Sequence, residues 1–263
     1  MYAFDYHRPA SVADAAKLLK DGAKILAGGQ TLIPTLKLRL ASPSALVDMR
    51  GIADMRGVSQ TGANLVIGAM TTHAEVADSK PVQAALPGLA AVATGIGDPH
   101  VRNRGTIGGS LANNDPAADY PAAVLALGAT IVTNKRQIAA DDFFQGLFAT
   151  ALAEDEIITA VSIPTGGKFG YAKFANPASR FALVGVAVAQ SGSAVGVAVT
   201  GAGANGVFRA TAMEAALGKS FQPGALDGLA VDASQLSGDL HADAAYRANL
   251  VTVMAKRAVA AAV

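Results

Sequence analysis

Two glycine pairs, Gly28-Gly29 and Gly108-Gly109, constrain this fold more than any other feature. The first sits in the segment AGGQTLIP, from Ala27 to Pro34, and the second in RNRGTIGGSLANNDPAADYP, from Arg102 to Pro121. Glycine lets the backbone adopt positive φ and lets a ligand approach the main chain closely. Gly28 and Gly29 thus expose their N–H groups, and Gln30 and Thr31 add side-chain donors. Thr106, Gly108, Gly109 and Ser110 repeat the arrangement. Such concave runs of donors suit a diphosphate, and a helix start after the loop adds a favourable dipole. One Gly-Gly pair is most simply a turn. Two, each following apolar residues and followed by hydroxyl and amide side chains, point to a diphosphate held by loops from two subdomains. Neither contains the Gly-Lys-Ser/Thr of a P-loop, and neither opens a helix with GxGxxG spacing.

Bulk composition narrows the chemistry further. With 263 residues the chain suits two or three subdomains with separate cores. Hydrophobic residues make up 51% and charged residues 16%, and the mean hydropathy is +0.35. Two readings of that low polarity stay open: an Ala- and Gly-rich average, or a surface covered by a partner. The cysteine count is 0, so there is no disulfide framework, thiolate nucleophile or CxxC pair, and no ordinary iron–sulfur cluster within the chain. Redox chemistry here needs a bound organic cofactor. A net charge of +1 gives no drive toward nucleic acid. No pair among the 4 histidines has metal-ligand spacing. No apolar stretch reaches the roughly 18 residues of a membrane span. Asp5, Tyr6 and His7 stand where a signal peptide would have its basic and apolar regions, so the expected location is cytoplasmic.

Along the chain, Ser11 to Lys20 reads as an amphipathic helix with Ser11 as N-cap, an apolar stripe of Val12, Ala15, Ala16 and Leu19, and a stop at Gly22. Ile25 to Ala27 is a strand delivered into the first loop. Thr31 to Leu40, containing Pro34, is a short irregular helix. Leu46 to Met49 and Leu65 to Gly68 are brief strands, and Pro81 to Ile96 is helical with an interruption at Pro87. The Gly/Asn/Asp/Pro-rich stretch from Arg102 to Asp119 fits neither helix nor strand. Pro121 to Leu127 is helical, while Ala129 to Thr133 and Glu156 to Ile163 are strands. Thr165-Gly166-Gly167 marks a boundary. Beyond it Phe169 to Phe174 alternates, Ala194 to Thr200 is β-rich, and Arg209 to Leu217 and Ala244 to Ala262 are helical. Interleaved elements without a strict βαβ repeat favour α+β over a doubly wound sheet.

The paired motifs AGGQTLIP and IGDPHVRNRGTIGGSLANNDPAADYPA closely resemble the FAD-binding subunit of the molybdenum hydroxylases. That family includes the carbon monoxide dehydrogenase medium chain and the FAD subunit or domain of xanthine dehydrogenases. The resemblance runs nearly the whole length, through FDYHRPASVADAAKLL, YAKFANPASRFALVGVAVA and DLHADAAYRANLVTVMAKRAV.

It implies a vanillyl-alcohol-oxidase-like α+β FAD fold. Residues 1–52 and 53–164 would form two FAD-clasping subdomains, and residues 168–263 a C-terminal α+β domain over the flavin. Ala27, Gly28, Gly29, Gln30, Thr31 and Leu32, with Thr106, Ile107, Gly108, Gly109 and Ser110, would wrap the pyrophosphate. Asn114 would brace the loop, and Asp119 would bond the ribityl or nearby polar groups. Lys24 stands where a basic residue often precedes the first loop. Ile158 would lie against the isoalloxazine, Lys173 would reach its polar edge, and Phe181 would shield the ring. Other roles stay open: Asp119 as a helix cap, Lys173 as a solvated side chain, and Ile158 and Phe181 as core residues. Arg102 and Arg104 could neutralise the diphosphate or pin the loop by bonding carbonyls. Tyr246 and Arg247 serve the C-terminal fold. Neither glycine loop contains a histidine, so FAD is expected to be noncovalent. The cysteine-rich insertion of some aldehyde-oxidising relatives is excluded outright.

In that family substrate is hydroxylated at molybdopterin in a large subunit. Electrons then pass through 2Fe-2S clusters of a small subunit to FAD and on to an external acceptor. The resemblance therefore implies an FAD-carrying oxidoreductase subunit with no catalytic residue of its own and no metal site, in a heterotrimer that is often doubled. Two rivals are a self-sufficient flavin oxidase or reductase, which needs an acid or base over the ring, and a non-redox nucleotide-binding module, which would purify colourless.

Overall fold

The computed structural model describes residues 1–263 as an α+β chain built on three main sheets. Strand β1 (Asp5–His7) pairs in parallel with β3 (Ala45–Asp48), which pairs in parallel with β2 (Lys24–Leu26). Helix α1 (Val12–Leu18) connects the first two; the Ser11 hydroxyl accepts from the Asp14 N–H at 3.1 Å, as a capping serine should. Helix α2 (Leu32–Lys37) follows the first glycine loop, and Leu36 packs with Leu26 and Leu46 in a small separate core.

The second sheet is antiparallel throughout, in the order β4 (Val58–Thr61), β5 (Asn64–Gly68), β10 (Ile158–Pro164), β6 (Thr130–Thr133), β7 (Gln137–Ala139). Its crossover carries helices α3 (His73–Asp78), α4 (Lys80–Ala85), α5 (Pro87–Thr94), α6 (Pro99–Arg102), α7 (Ile107–Asn113) and α8 (Asp119–Ala126). Pro87 begins α5 rather than interrupting one long helix; a proline at the first helical position loses no bond. Before β10 the chain adds α9 (Ala140–Phe143) and a small hairpin of β8 (Phe144–Gly146) and β9 (Ala149–Thr150).

The third sheet is an antiparallel meander of β11 (Lys168–Ala175), β12 (Ala182–Ser191), β13 (Ala194–Thr200) and β14 (Phe208–Arg209). One face meets α10 (Thr211–Lys219) and α11 (Ala244–Ala260), and the other lies against α5 and α8. Val184, Val186 and Val188 of β12 belong to the C-terminal core, whereas Ala187 and Ala189 belong to the main core. Strand β12 is thus buried on both faces, and its alternation is large against small. Polar alternation, the usual strand signal, is missing there, which is why the sequence reading passed over it. Arg247 of α11, 3% exposed, donates to the carbonyls of Leu183 and Gly201 at 2.6 Å each and ties the helix to the sheet.

The stretch from Arg102 to Asp119 is not irregular throughout: it contains α7. Thr106 caps that helix, its hydroxyl accepting from the Gly109 N–H at 3.1 Å, and Asn114 ends it in the left-handed region at φ 42°. Glycines of low helix propensity are accepted because the helix start packs tightly on residue 69: a Cβ on Gly108 would lie 2.7 Å from the Ala69 carbonyl oxygen. No helix is long and apolar enough to cross a membrane.

Candidate functional site

The two glycine loops meet, backbone against backbone. A Cβ on Gly28 would fall 2.7 Å from both the Arg104 carbonyl carbon and Gly105 Cα, so only glycine permits the approach. A Cβ on Gly109 would come to 3.5 Å from Ala27 Cβ, so the loops also face each other there.

Their amides are disposed differently. In the first loop the N–H groups of Ala27, Gly28, Gly29, Gln30, Thr31 and Leu32 donate to no acceptor in the chain. In the second loop those of residues 107–110 are spent: Ile107 N–H goes to Thr71 O at 3.1 Å, Gly108 N–H to Ala69 O at 2.9 Å, Gly109 N–H to Thr106 Oγ1 at 3.1 Å, and Ser110 N–H to Thr106 O at 3.0 Å. The expected repetition of exposed donors is therefore corrected. The second loop is a rigid wall stitched to residues 69–73, and the first is the donor surface. A run of unspent amides next to a glycine-containing wall is the arrangement an extended polyanion needs.

A cleft of about 330 Å³ opens beside this junction, bounded by Ala27, Gly28, Arg50, Ile52, Thr72 and Arg104. Arg50 is paired with buried Asp48 at 2.6 Å, and Arg56, also on the rim, with Glu75 at 2.7 Å. The open question over the two arginines divides between them. Arg102 donates to the carbonyls of Ile96 and Gly97 at 3.0 Å each and pins the loop, while Arg104 lines the cleft.

A second cluster forms where α8 meets β11. Asp119, 5% exposed, accepts from Lys173 Nζ at 3.0 Å and from the Tyr171 hydroxyl. Burial pushes the Asp119 carboxyl up, and Lys173 and Tyr171 oppose that shift. The same burial, with the neighbouring carboxylate, raises the Tyr171 hydroxyl well above its ordinary value, so it stays a proton donor. Lys173 also donates to Gly95 O at 2.9 Å and is not a solvated side chain. Asp119 makes no cap hydrogen bond to α8. Phe181, 48% exposed, flanks the cluster: its neighbour Ala182 donates to Ala117 O at 3.4 Å, and Arg180 reaches Gly97 O at 3.5 Å.

The remaining candidates stand elsewhere. Asn114 Nδ2 bonds Gly146 O and Ala149 O at 2.8 Å each, fastening α7 to the β8–β9 turn. Lys24 is exposed on β2. Ile158 is buried in the main core on β10 at 5% exposure, and it does not line the cleft. Tyr171 escaped the sequence reading because only its tertiary position beside Asp119 gives it a role. His73 and Tyr120 lie beneath the second loop with ring centroids 5.4 Å apart; burial, then the charge of Arg102, lower His73 to about 4, so the ring is neutral.

The fold and these loops define an α+β protein with a site suited to a diphosphate-bearing ligand. Residues 2–166 match the family model described as the FAD binding domain in molybdopterin dehydrogenase. The carbon monoxide dehydrogenase medium chain of Hydrogenophaga pseudoflava is 38% identical over 277 residues, covering 98% of this chain and 96% of the relative. The nicotine 6-hydroxylase medium subunit of Paenarthrobacter nicotinovorans is 38% identical over 273 residues, covering 98% and 96%. Among solved structures, carbon monoxide dehydrogenase from Hydrogenophaga pseudoflava lacking the Mo-pyranopterin moiety matches with a TM-score of 0.89 at 39% identity, covering 99% of this chain and 97% of that one. Quinoline 2-oxidoreductase from Pseudomonas putida 86 matches at 0.87 and 31% identity, covering 98% and 96%. The chain belongs to the family of FAD-binding subunits of molybdopterin dehydrogenases, and it is an oxidoreductase subunit.

Proposed function

We propose that this chain is the electron-transfer subunit of a molybdenum hydroxylase complex, carrying noncovalent FAD between a small iron–sulfur subunit and an external acceptor. The observation that carries the reading is the run of unspent amides from Ala27 to Leu32 beside the second glycine loop. These amides, with the side chains of Gln30 and Thr31, bind the pyrophosphate. Thr106, Ile107, Gly108, Gly109 and Ser110 form the opposing wall, and Lys24 adds positive charge at the base of the loop. Asp119 and Lys173 orient the polar end of the cofactor, Phe181 excludes water from the ring, and Asn114 holds the wall in place. In this reading residues 1–52 and 53–164 clasp the cofactor and residues 168–263 cover it. Ile158 meets the isoalloxazine through the small part of its surface that the main core leaves open. When bound, FAD supplies the redox chemistry; the protein supplies binding, orientation and electrostatics.

With no cysteine the chain cannot ligate an ordinary cluster, so electrons enter from a partner. Relatives named medium chains and medium subunits support a complex with a large molybdopterin subunit and a small 2Fe-2S subunit, as a heterotrimer or its dimer. Exposed apolar side chains support covered surface: Leu38 and Leu40 after α2, and the adjacent Leu147 and Phe148 on the β8–β9 turn. A cytoplasmic location completes the reading. The test is the visible spectrum of the purified chain, followed by attempted reduction with NADH and with small organic donors. A yellow protein that does not turn over organic donors supports the electron-transfer role, and NADH reduction then identifies the acceptor class. Turnover of an organic donor by the chain alone moves the function to a self-sufficient flavin enzyme. A colourless protein that takes up no added FAD overturns the proposal.

A further inference from the structure

Asp119 is held by more than its ion pair. Its two oxygens are taken by different donors, Oδ2 by Lys173 and Oδ1 by the Tyr171 hydroxyl. Tyr171 and Lys173 stand two residues apart on one face of β11, so a single strand sets both the position and the rotation of the carboxylate. An ionised carboxylate has about four acceptor positions, and only two are taken by donors of the chain.

The space for Tyr171 is cut by Gly185. That residue lies on β12 opposite Lys173, and a Cβ there would meet Tyr171 Cζ at 3.0 Å, Thr200 Cγ2 at 2.9 Å and the Tyr171 hydroxyl closer still. A side chain at position 185 would drive the hydroxyl away from Asp119. The titratable groups acting on the site are Lys173 and Tyr171 from β11, and Tyr120 beside Asp119 on α8. The other neighbours are uncharged: the Gly95 carbonyl after α5, Gly185 on β12, and Thr200 on β13, whose hydroxyl donates to Ala118 O at 2.7 Å.

We propose that Tyr171, admitted by the missing side chain of Gly185, is a positioning residue that fixes the Asp119 carboxylate for the cofactor. The inference rests on the reading that Asp119 contacts bound FAD. The hydroxyl does two things. It prevents rotation of a carboxylate that would otherwise be held by one donor, and it stabilises the ionised form against the burial that disfavours it. Without it Asp119 protonates at higher pH, and protonation costs both the ion pair with Lys173 and an acceptor for the ligand.

The test uses the full chain freed of FAD, with added FAD titrated by its fluorescence across the acid range. Tyr171→Phe keeps the ring and removes only the oxygen. It is expected to weaken FAD binding about ten- to a hundredfold, as loss of a hydrogen bond to a charged group does. The acid loss of binding should begin at higher pH than in the wild type, and the FAD-free chain, which holds the same bond, should melt somewhat lower while staying folded at the titration temperature. Gly185→Ala should act in the same direction, and it decides the matter if Tyr171→Phe does not fold. In an Asp119→Asn background, Tyr171→Phe should have no further effect, because its action runs through that carboxylate. Wild-type affinity and pH profile in Tyr171→Phe overturn the proposal, as does a pH-independent loss that persists in Asp119→Asn. Unchanged FAD affinity in Asp119→Asn alone instead overturns the assignment of Asp119 to the cofactor.

Discussion

Gly28→Ala tests the joint between the two loops most directly. The added methyl carbon would sit 2.7 Å from the Arg104 carbonyl carbon and from Gly105 Cα, and ordinary contact begins at 3.4 Å. The loops must therefore part by at least about 0.7 Å, the difference between those distances. Every clashing atom is backbone, so no rotamer change relieves it, and overpacking of this kind costs about 1–3 kcal/mol. In the FAD-free chain the loops can separate and shed part of that strain. A cofactor that bridges both loops forces them together again. Affinity for FAD then falls by up to the same free energy, roughly five- to 150-fold. The assay is calorimetric titration of the FAD-free variant, with thermal melting as the folding control. Gly109→Ala is the milder contrast: its methyl meets Ala27 Cβ at an ordinary 3.5 Å and one side-chain oxygen, Thr106 Oγ1, at 2.9 Å, which can turn aside at the cost of the α7 cap, so affinity should fall less than in Gly28→Ala. Gly109→Val fills the gap facing Ala27 and should release FAD from a folded chain. Wild-type affinity in Gly28→Ala, with unchanged stability, refutes a site walled by both loops.

Three further outcomes concern the scaffold. Thr72→Ala removes a capping box, in which the Thr72 hydroxyl accepts from Glu75 N–H at 3.3 Å and Glu75 Oε2 accepts from Thr72 N–H at 2.8 Å; it should cost about 1 kcal/mol in urea unfolding. Burial pushes buried Asp48 up, but hydrogen bonds from Arg50 and Tyr6 outweigh it and hold the carboxyl at about 2, below its ordinary 3.8. A carboxyl depressed in the folded state contributes stability that is present above its unfolded value and lost as acid titrates it. The wild type should therefore lose about 2 kcal/mol between about pH 4 and pH 2 that Asp48→Asn does not lose, measured as unfolding free energy against pH. Arg247→Met leaves the carbonyls of Leu183 and Gly201 without their buried donor and should cost about 3 kcal/mol or more, read as a lowered melting temperature.

Local signals in the chain were sufficient for most helices and for the motif itself. Ser11 announced α1, the proline at position 87 was read as a break within one helix where it begins α5, and the two Gly-Gly segments stood out because their residues are contiguous. Two of the elements left unplaced show why others were not legible. Helix α7 is hidden by its glycines, which disfavour helix in isolation and are tolerated because the turn packs against Ala69. Strand β12 carries no polar alternation because helices cover one face and the main core the other.

The chemistry divides the same way. Composition alone settled that this chain ligates no ordinary iron–sulfur cluster, since the ligand atoms are missing from it. The glycine spacing also picked out the two loops that pack backbone against backbone, because such an approach depends on residue type at consecutive positions. Which loop has free amides was decided only by the folded structure: Ala69, Thr71 and Thr106 capture those of residues 107–110, and nothing captures those of the first loop. The Tyr171–Asp119 bond joins residues 52 apart, through a slot left by Gly185 on another strand. No periodicity records such a contact, because it exists only when the third sheet lies against α8 and burial makes every hydrogen bond to Asp119 count.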